Sequence, residues 1–169
     1  MDSFVEQIVR KHSRGIDYVK KLLVLVATFL VALFLLFVVG GFLPQLFAMG
    51  FMASVGVLFG GYYLSSNLNI EYEYLFTNGE LDIDKIIAQR KRKRLCTIDV
   101  RSFEQFGVYT ENVKTDNIAT TIVATDNTGV GIYYAIFKHS KLGQTMLLFT
   151  PEERFLEAMK THLPRSIRT

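Results

Sequence analysis

From residue 22 through residue 70 this 169-residue chain contains no Asp, Glu, Lys, Arg or His, a gap of 49 positions, and all 35 of its charges (19 basic, 16 acidic) lie in the other 120. That segregation excludes a single soluble globule. A buried core helix needs roughly ten to fourteen apolar residues, whereas a bilayer's hydrocarbon needs about 20 at a rise of about 1.5 Å each. The uncharged run is long enough to cross twice. Trp is absent and cysteine occurs once, as Cys96. A lone cysteine excludes an intrachain disulfide, and no Cys and His spacing resembles a zinc site, so the simpler reading is a reducing, cytosolic face. The net charge of +3 is mild for a nucleic-acid binder and names no partner by itself.

Residues 22–39 are almost entirely Leu, Val, Phe and Ala, and are followed by Gly40, Gly41, Phe42, Leu43, Pro44 and Gln45. Glycine and proline punctuate the run there. A second apolar stretch, residues 46–64, closes with Ser65, Ser66 and Asn67. The expectation is a two-span helical hairpin over residues 22–66, with spans near 22–42 and 46–64, joined by a very short turn. The rival reading, a cleaved leader, fits less well, because the first apolar part is longer than such leaders use and a second follows at once. Arg10, Lys11, Arg14, Lys20 and Lys21 precede the first span and the turn carries no charge, so the positive-inside rule places both termini in the cytoplasm. The expected location is the inner cell membrane.

The first 21 residues read as an amphipathic cytosolic helix. Phe4, Val5, Ile8, Val9, His12, Ile16 and Val19 recur at helical spacing, and Ser3 with Glu6 has the spacing of a capping box. Two roles are open: a helix lying on the inner leaflet with its basic residues, Lys20 and Lys21 among them, near anionic headgroups, or an ordinary extension packed on the domain that follows. Small residues four apart, Thr28 and Ala32 in the first span and Gly56 and Gly60 in the second, are expected to let the helices approach. Folding back around Pro44 pairs Thr28 with Gly60 and Ala32 with Gly56. The alternative turns Gly56 and Gly60 outward as a dimerisation face.

Residues 67–169 form the expected cytosolic domain. Ile70, Tyr72, Tyr74 and Phe76 alternate with Glu71 and Glu73, and Asn78-Gly79 separates them from a second alternating run containing Leu81 and Ile83. Asn-Gly between alternating runs is the strongest short-range hairpin signal. Further strand-like runs occupy residues 95–100, 106–110, 118–125, 130–138 and 145–149. Thr150, Pro151, Glu152 and Glu153 then open a helix whose apolar stripe is Phe155, Leu156, Met159 and Leu163, ended by Pro164. About seven short strands followed by one amphipathic helix predict an α+β domain, a strongly bent antiparallel sheet with the helix plugging one open end.

The segment Thr77-Asn78-Gly79-Glu80-Leu81-Asp82-Ile83, the basic stretch from Arg90, the run Leu95-Cys96-Thr97-Ile98-Asp99-Val100 and the final helix at Pro151 resemble the bacterial pleckstrin-homology-like (PH-like) domains attached to two-span transmembrane hairpins in small membrane proteins. The resemblance implies a PH-like, partly open barrel, and none of the matching segments is a catalytic motif.

Arg90, Lys91, Arg92, Lys93 and Arg94 are the most conspicuous chemical feature. They are candidates for contact with anionic lipid, worth about 1 kcal/mol per basic residue at the surface, or for a solvated strand edge whose charge discourages pairing. Nucleic acid fits poorly, since aromatics are not interleaved and 14 basic residues face 13 acidic ones from Asn67 onward. No catalytic, cofactor or metal site is expected. Asp82 with Asp84, and Glu71 with Glu73, have the spacing of one strand face; His12, His139 and His162 stand apart; Thr128-Gly129-Val130-Gly131 is followed by a strand and so forms no phosphate loop. The leading expectation is a non-enzymatic membrane-anchored module binding a protein partner, anionic headgroups or another copy of itself. The alternative is an accessory subunit of a larger membrane complex with the hairpin as its binding element.

Overall fold

The computed structural model describes residues 4–13, 15–113 and 117–167 and divides the chain into two compact units. One is Ser13–Asn69; the other combines Met1–His12 with Ile70–Thr169.

The first unit is a hairpin of two long apolar helices. Helix α1 (Gly15–Phe34) continues through a π-helical turn (Leu35–Val39) and a final turn α2 (Gly40–Phe42), and a 3-10 turn at Pro44–Leu46 leads into α3 (Phe47–Ser66). Both arms are long and apolar enough to cross a membrane. Most of their large side chains, such as Leu22, Phe29, Leu30, Phe51 and Phe59, are exposed.

The second unit begins with a correction. Residues 4–10 form strand β1 (Phe4–Arg10), not a helix, and it pairs antiparallel with β2 (Ile70–Thr77) from Phe4↔Thr77 to Arg10↔Glu71. The β-branched Val5, Ile8 and Val9 suit a pleated strand, and the seven cross-strand pairs that β2 offers outweigh a helical spacing that has no face to pack on. Val9 and Gln7 point into the core while Phe4, Glu6, Ile8 and Arg10 alternate outward. The expected capping residue Ser3 and the flanking Arg14 lie outside the described residues. The domain therefore does not start at residue 67: the apolar hairpin is inserted between its first two strands.

Strand β3 (Glu80–Ile87) follows the Asn78-Gly79 turn, whose φ angles of 51° and 99° match the left-handed pair that a tight hairpin needs. Strand β4 (Lys91–Asp99) completes a first sheet ordered β1-β2-β3-β4. A 3-10 turn (Val100–Ser102) leads to β5 (Phe103–Val108), β6 (Thr120–Ala124), β7 (Tyr133–His139) and β8 (Gly143–Phe149), ordered β5-β7-β8-β6. The seven strands expected from residue 67 onward are all present, but they and β1 form two four-stranded sheets, and β6 runs parallel to β8. The connection after β5 carries the chain from one edge of the sheet to the other, and the parallel neighbours β6 and β8 are linked in sequence through β7, which runs antiparallel to β8.

Helix α4 (Glu153–Lys160) is capped at Glu152 without a side-chain bond, so the expected Thr150 and Glu153 capping box does not form. Thr150 is instead engaged with Asp126 and Tyr74. Phe155, Met159 and Leu163 are buried, with Phe155 edge-on to Tyr74 and Phe76 at centroid distances of 5.9 and 6.2 Å. Tyr74 anchors this core: its hydroxyl donates to the carbonyl of Ala124 and accepts from the amide of Thr150 at 3.2 Å. Burial holds that phenol well above its usual pKa.

Candidate functional site

The basic stretch lies mostly on β4, and the register of the sheet sorts its members. Asp84 stands across from Arg94 on β3–β4 and from Glu73 on β2–β3, so the outward-facing side of the first sheet carries acids on the inner strands and arginines on the edge strand. Arg92 meets Glu73 at 2.7 Å, and Arg94 meets Asp84 at 2.8 Å and Asp82 at 2.9 Å. Glu73 and Asp84 are only 4% and 2% exposed. Two of the five cations therefore neutralise nearly buried carboxylates. Glu73 is held incompletely: one of its oxygens has no hydrogen-bond partner, and burial raises its pKa against the opposing pull of Arg92. Lys91 and Lys93 are exposed and have no ion pair among the described residues.

The turn between β3 and β4 is built without glycine. Ala88 and Gln89 adopt φ of 53° and 55°, left-handed values that are strained for residues with a Cβ. Gln89 is held in this turn by a 3.3 Å bond to Glu71, which also pairs with Arg10 at 3.1 Å. Around the turn lies a cleft of about 380 Å³ with Ile8 and Ile86 as apolar lining, Arg10, Arg90, Lys91 and Arg92 as cations, and Glu71 and Gln89 between them. Arg10 is paired with Glu71 and Arg92 with Glu73, yet the cations of this lining still outnumber the carboxylates they meet, which leaves an anion-attracting surface. The cleft occupies a particular end of the sheet. Arg10 closes β1 and Ile70 opens β2, so both connections to the apolar hairpin leave from that end.

A second cleft of about 200 Å³ is lined by Thr97, Ile98, Asp99, Ser102, Phe137, Lys138, His139 and Ser140. Nδ1 of His139 accepts the amides of Lys141 and Leu142 at 3.1 and 3.2 Å, so this nitrogen serves the β7–β8 turn rather than a neighbouring hydroxyl. Among the described residues no group of three His, Cys, Asp or Glu side chains is arranged to hold a metal ion. Cys96 is buried, and burial pushes its thiol up to about 12.

The entire chain, residues 1–169, matches the family described as Bacterial PH-like domain (DUF6106). The chain belongs to this family. No curated protein and no solved structure matches it. In this PH-like protein the family match spans the apolar hairpin as well as the sheets, in keeping with a hairpin inserted between β1 and β2.

The apolar hairpin packs through a different face of α3 from the one expected. Thr28 and Ala32 do face α3, but they meet Gly61 and Ser54, not Gly60 and Gly56. A Cβ on Gly61 would clash with Thr28 Cγ2, and Ser54 Oγ donates to the carbonyl of Ala32 at 2.9 Å. Further along, Gly50 sits against Val39. Gly56 and Gly60 have nothing within 4 Å of an added Cβ. The depth pairing read from Pro44 is nearly right, and the error is a rotation of α3 about its axis, which a run of apolar residues on all sides cannot reveal. Lys21 reaches Asn69 at 2.7 Å, tying the start of one arm to the end of the other, while Lys20 is exposed.

The sequence pattern placed Glu73, Asp82 and Asp84 only as acids sharing a strand face and Arg10 only as a charge flanking the first span, and did not join them to the basic stretch. Their signal was present as acids alternating on β2 and β3 opposite arginines alternating on β4, but it becomes legible only once the strands are placed in register.

Proposed function

We propose that this PH-like protein is a non-enzymatic module anchored in the bacterial inner membrane by its helical hairpin, with both flanks of the hairpin on the cytoplasmic side, and that its basic cleft binds anionic lipid headgroups. The observation that carries the reading is the position of the cleft: Arg10, Arg90, Lys91 and Arg92 gather at the end of the sheet from which both connections to the hairpin depart. Such a cluster beside an anionic leaflet gains about 1 kcal/mol per basic residue and loses it within a Debye length of about 8–10 Å. The exposed apolar surfaces of both long helices support insertion in lipid, since a buried core helix hides them. The β1–β2 ladder supports a common side for both flanks, because strands seven pairs long cannot be separated by a bilayer. Basic residues before the first helix and none in its turn support the cytoplasmic side.

The test uses the full-length protein in nanodiscs of phosphatidylcholine alone or mixed with phosphatidylglycerol. Hydrogen exchange at residues 88–91 is expected to slow in the anionic discs and to recover at high salt. Equal exchange in both discs at low salt would remove lipid from the reading and leave the basic residues as a solvated strand edge.

A second reading has its own observation. Gly56 and Gly60 leave an open strip along α3 where another helix can approach closely, as expected of an accessory subunit or a hairpin dimer. Enlarging both to Ile is expected to abolish co-purification of a membrane partner or of a second copy if this strip is used.

A further inference from the structure

We propose that the loop following β6, residues 126–131, is a membrane-interface finger with Val130 as its tip. The inference rests on the membrane-anchor reading and adds a contact that the basic cleft does not supply.

Val130 is 75% exposed, more than any other large hydrophobic residue described outside Ser13–Asn69. A single exposed apolar side chain is ordinary. The position and construction of this one are not. The base of its loop is bonded to the last residue before the hairpin: the amide of His12 donates to the carbonyl of Asp126 at 2.7 Å, and the side-chain amide of Asn127 donates to the carbonyl of His12 at 3.2 Å. His12 is three residues from Gly15, where α1 begins. Asp126 and Asn127 are half-buried at this base, and residues 128–131 are exposed beyond it.

The loop also holds its shape without packing. Asn127, Gly129 and Gly131 have φ of 68°, 84° and 65°, so the chain reverses repeatedly over a few residues. The carboxylate of Asp126 accepts the hydroxyl of Thr128 at 2.9 Å and its amide at 3.0 Å, and the hydroxyl of Thr150 lies 3.4 Å away. Polar groups satisfied within the loop lower the penalty for withdrawing it from water. What remains at the tip is a valine flanked by two glycines, a narrow apolar projection. A bilayer interface accommodates such a group roughly 5–10 Å deep, at the headgroup and acyl boundary.

The test places single cysteines in a full-length Cys96→Ala background, labels them with a polarity-sensitive fluorophore and reconstitutes the protein in phosphatidylcholine–phosphatidylglycerol vesicles carrying spin-labelled lipid. Val130→Cys is the probe. Leu142→Cys is the reference, because it lies in the β7–β8 turn at the far end of the second sheet, about 20 Å of strand away. Val26→Cys in α1 reports insertion of the hairpin. Quenching of the Val130 label by a headgroup-level quencher is expected to exceed that of the Leu142 label by about threefold, with Val26 quenched by a deep one. A Val130 label that behaves like the Leu142 label while Val26 is quenched would overturn the finger and leave the anchor standing. An unquenched Val26 label would overturn both.

Discussion

The amide of Lys11 donates to the carbonyl of Ile70 at 3.1 Å, joining residues on either side of the inserted hairpin. This bond extends the β1–β2 ladder to the point where both connections leave the domain. The sheet thereby clamps the two ends of the hairpin together, and the hairpin in turn keeps a strand from the N-terminal segment beside one that follows the second apolar helix.

The clamp depends on Gln7. Its side chain donates to the carbonyl of Thr150 at 3.0 Å and accepts the amide of Glu152 at 2.9 Å, locking β1 to the segment that enters α4. Gln7→Ala strands both backbone groups in a nearly buried site, and a loss of about 2–3 kcal/mol is expected. Thermal unfolding of the full chain in detergent checks this. A change within a few tenths of a kcal/mol would show that β1 is not held by this residue.

Hairpin packing separates the glycines of α3. Gly61→Ala forces a Cβ against Thr28 and is expected to cost about 1–3 kcal/mol, whereas Gly56→Ala meets open space and is expected to be neutral or slightly stabilising. Cysteines at Ala32 and Ser54 should crosslink within one chain, and cysteines at Ala32 and Gly56 should do so poorly. The reverse order on a denaturing gel would restore the rotation read from the sequence.

Among the five consecutive cations, structural and surface roles should come apart. Arg94→Ala leaves the nearly buried Asp84 without its charged partner, and a loss of about 2–4 kcal/mol is expected, discounted because Arg94 itself is half-exposed. Lys93→Ala should change stability by less than about 0.5 kcal/mol. Denaturant titration of the two variants makes the comparison, and equal effects would refute the assignment.

The β3–β4 turn should be improvable. Replacing Ala88 and Gln89 with the Asn-Gly pair of the β2–β3 turn relieves two left-handed residues, for an expected gain of about 1–2 kcal/mol, less the lost Gln89 bond to Glu71. A loss of stability would mean that the side-chain bond outweighs the backbone strain.

Glu73 should impose a pH dependence of known sign. Its folded-state pKa is raised, so between its unfolded and folded values the folded protein binds more protons than the unfolded one. Stability then falls as pH rises through that window and is recovered as pH falls. Relative to Glu73→Gln, the wild-type melting temperature should rise as pH is lowered toward the ordinary glutamate pKa of about 4.3. A constant difference between the two would show that the orphaned oxygen carries no penalty.

Features set by short-range chemistry are legible along the chain. The uncharged run delimits two apolar helices because a soluble core helix is satisfied by roughly ten to fourteen apolar residues, whereas each crossing of a bilayer takes about 20. Asn78-Gly79 specifies its turn because only such residues adopt that backbone cheaply. The alternation from Ile70 and the stripe of Phe155, Met159 and Leu163 likewise predicted their elements from their own periods. Tertiary structure decided the rest. Residues 4–10 read as part of an amphipathic helix, and the open edge of β2, distant in sequence, selects the strand. The face of α3 that meets α1 could not be read because apolar residues surround that helix, and only the approach of Thr28 and Ala32 picks Gly61 and Ser54. Arg90 through Arg94 read as one uniform basic stretch, yet strand alternation and the β2–β3–β4 register turn Arg92 and Arg94 onto buried acids and leave Lys91 and Lys93 to solvent. A charge's partner is set by what lies across the sheet, and that distance is not written along the chain.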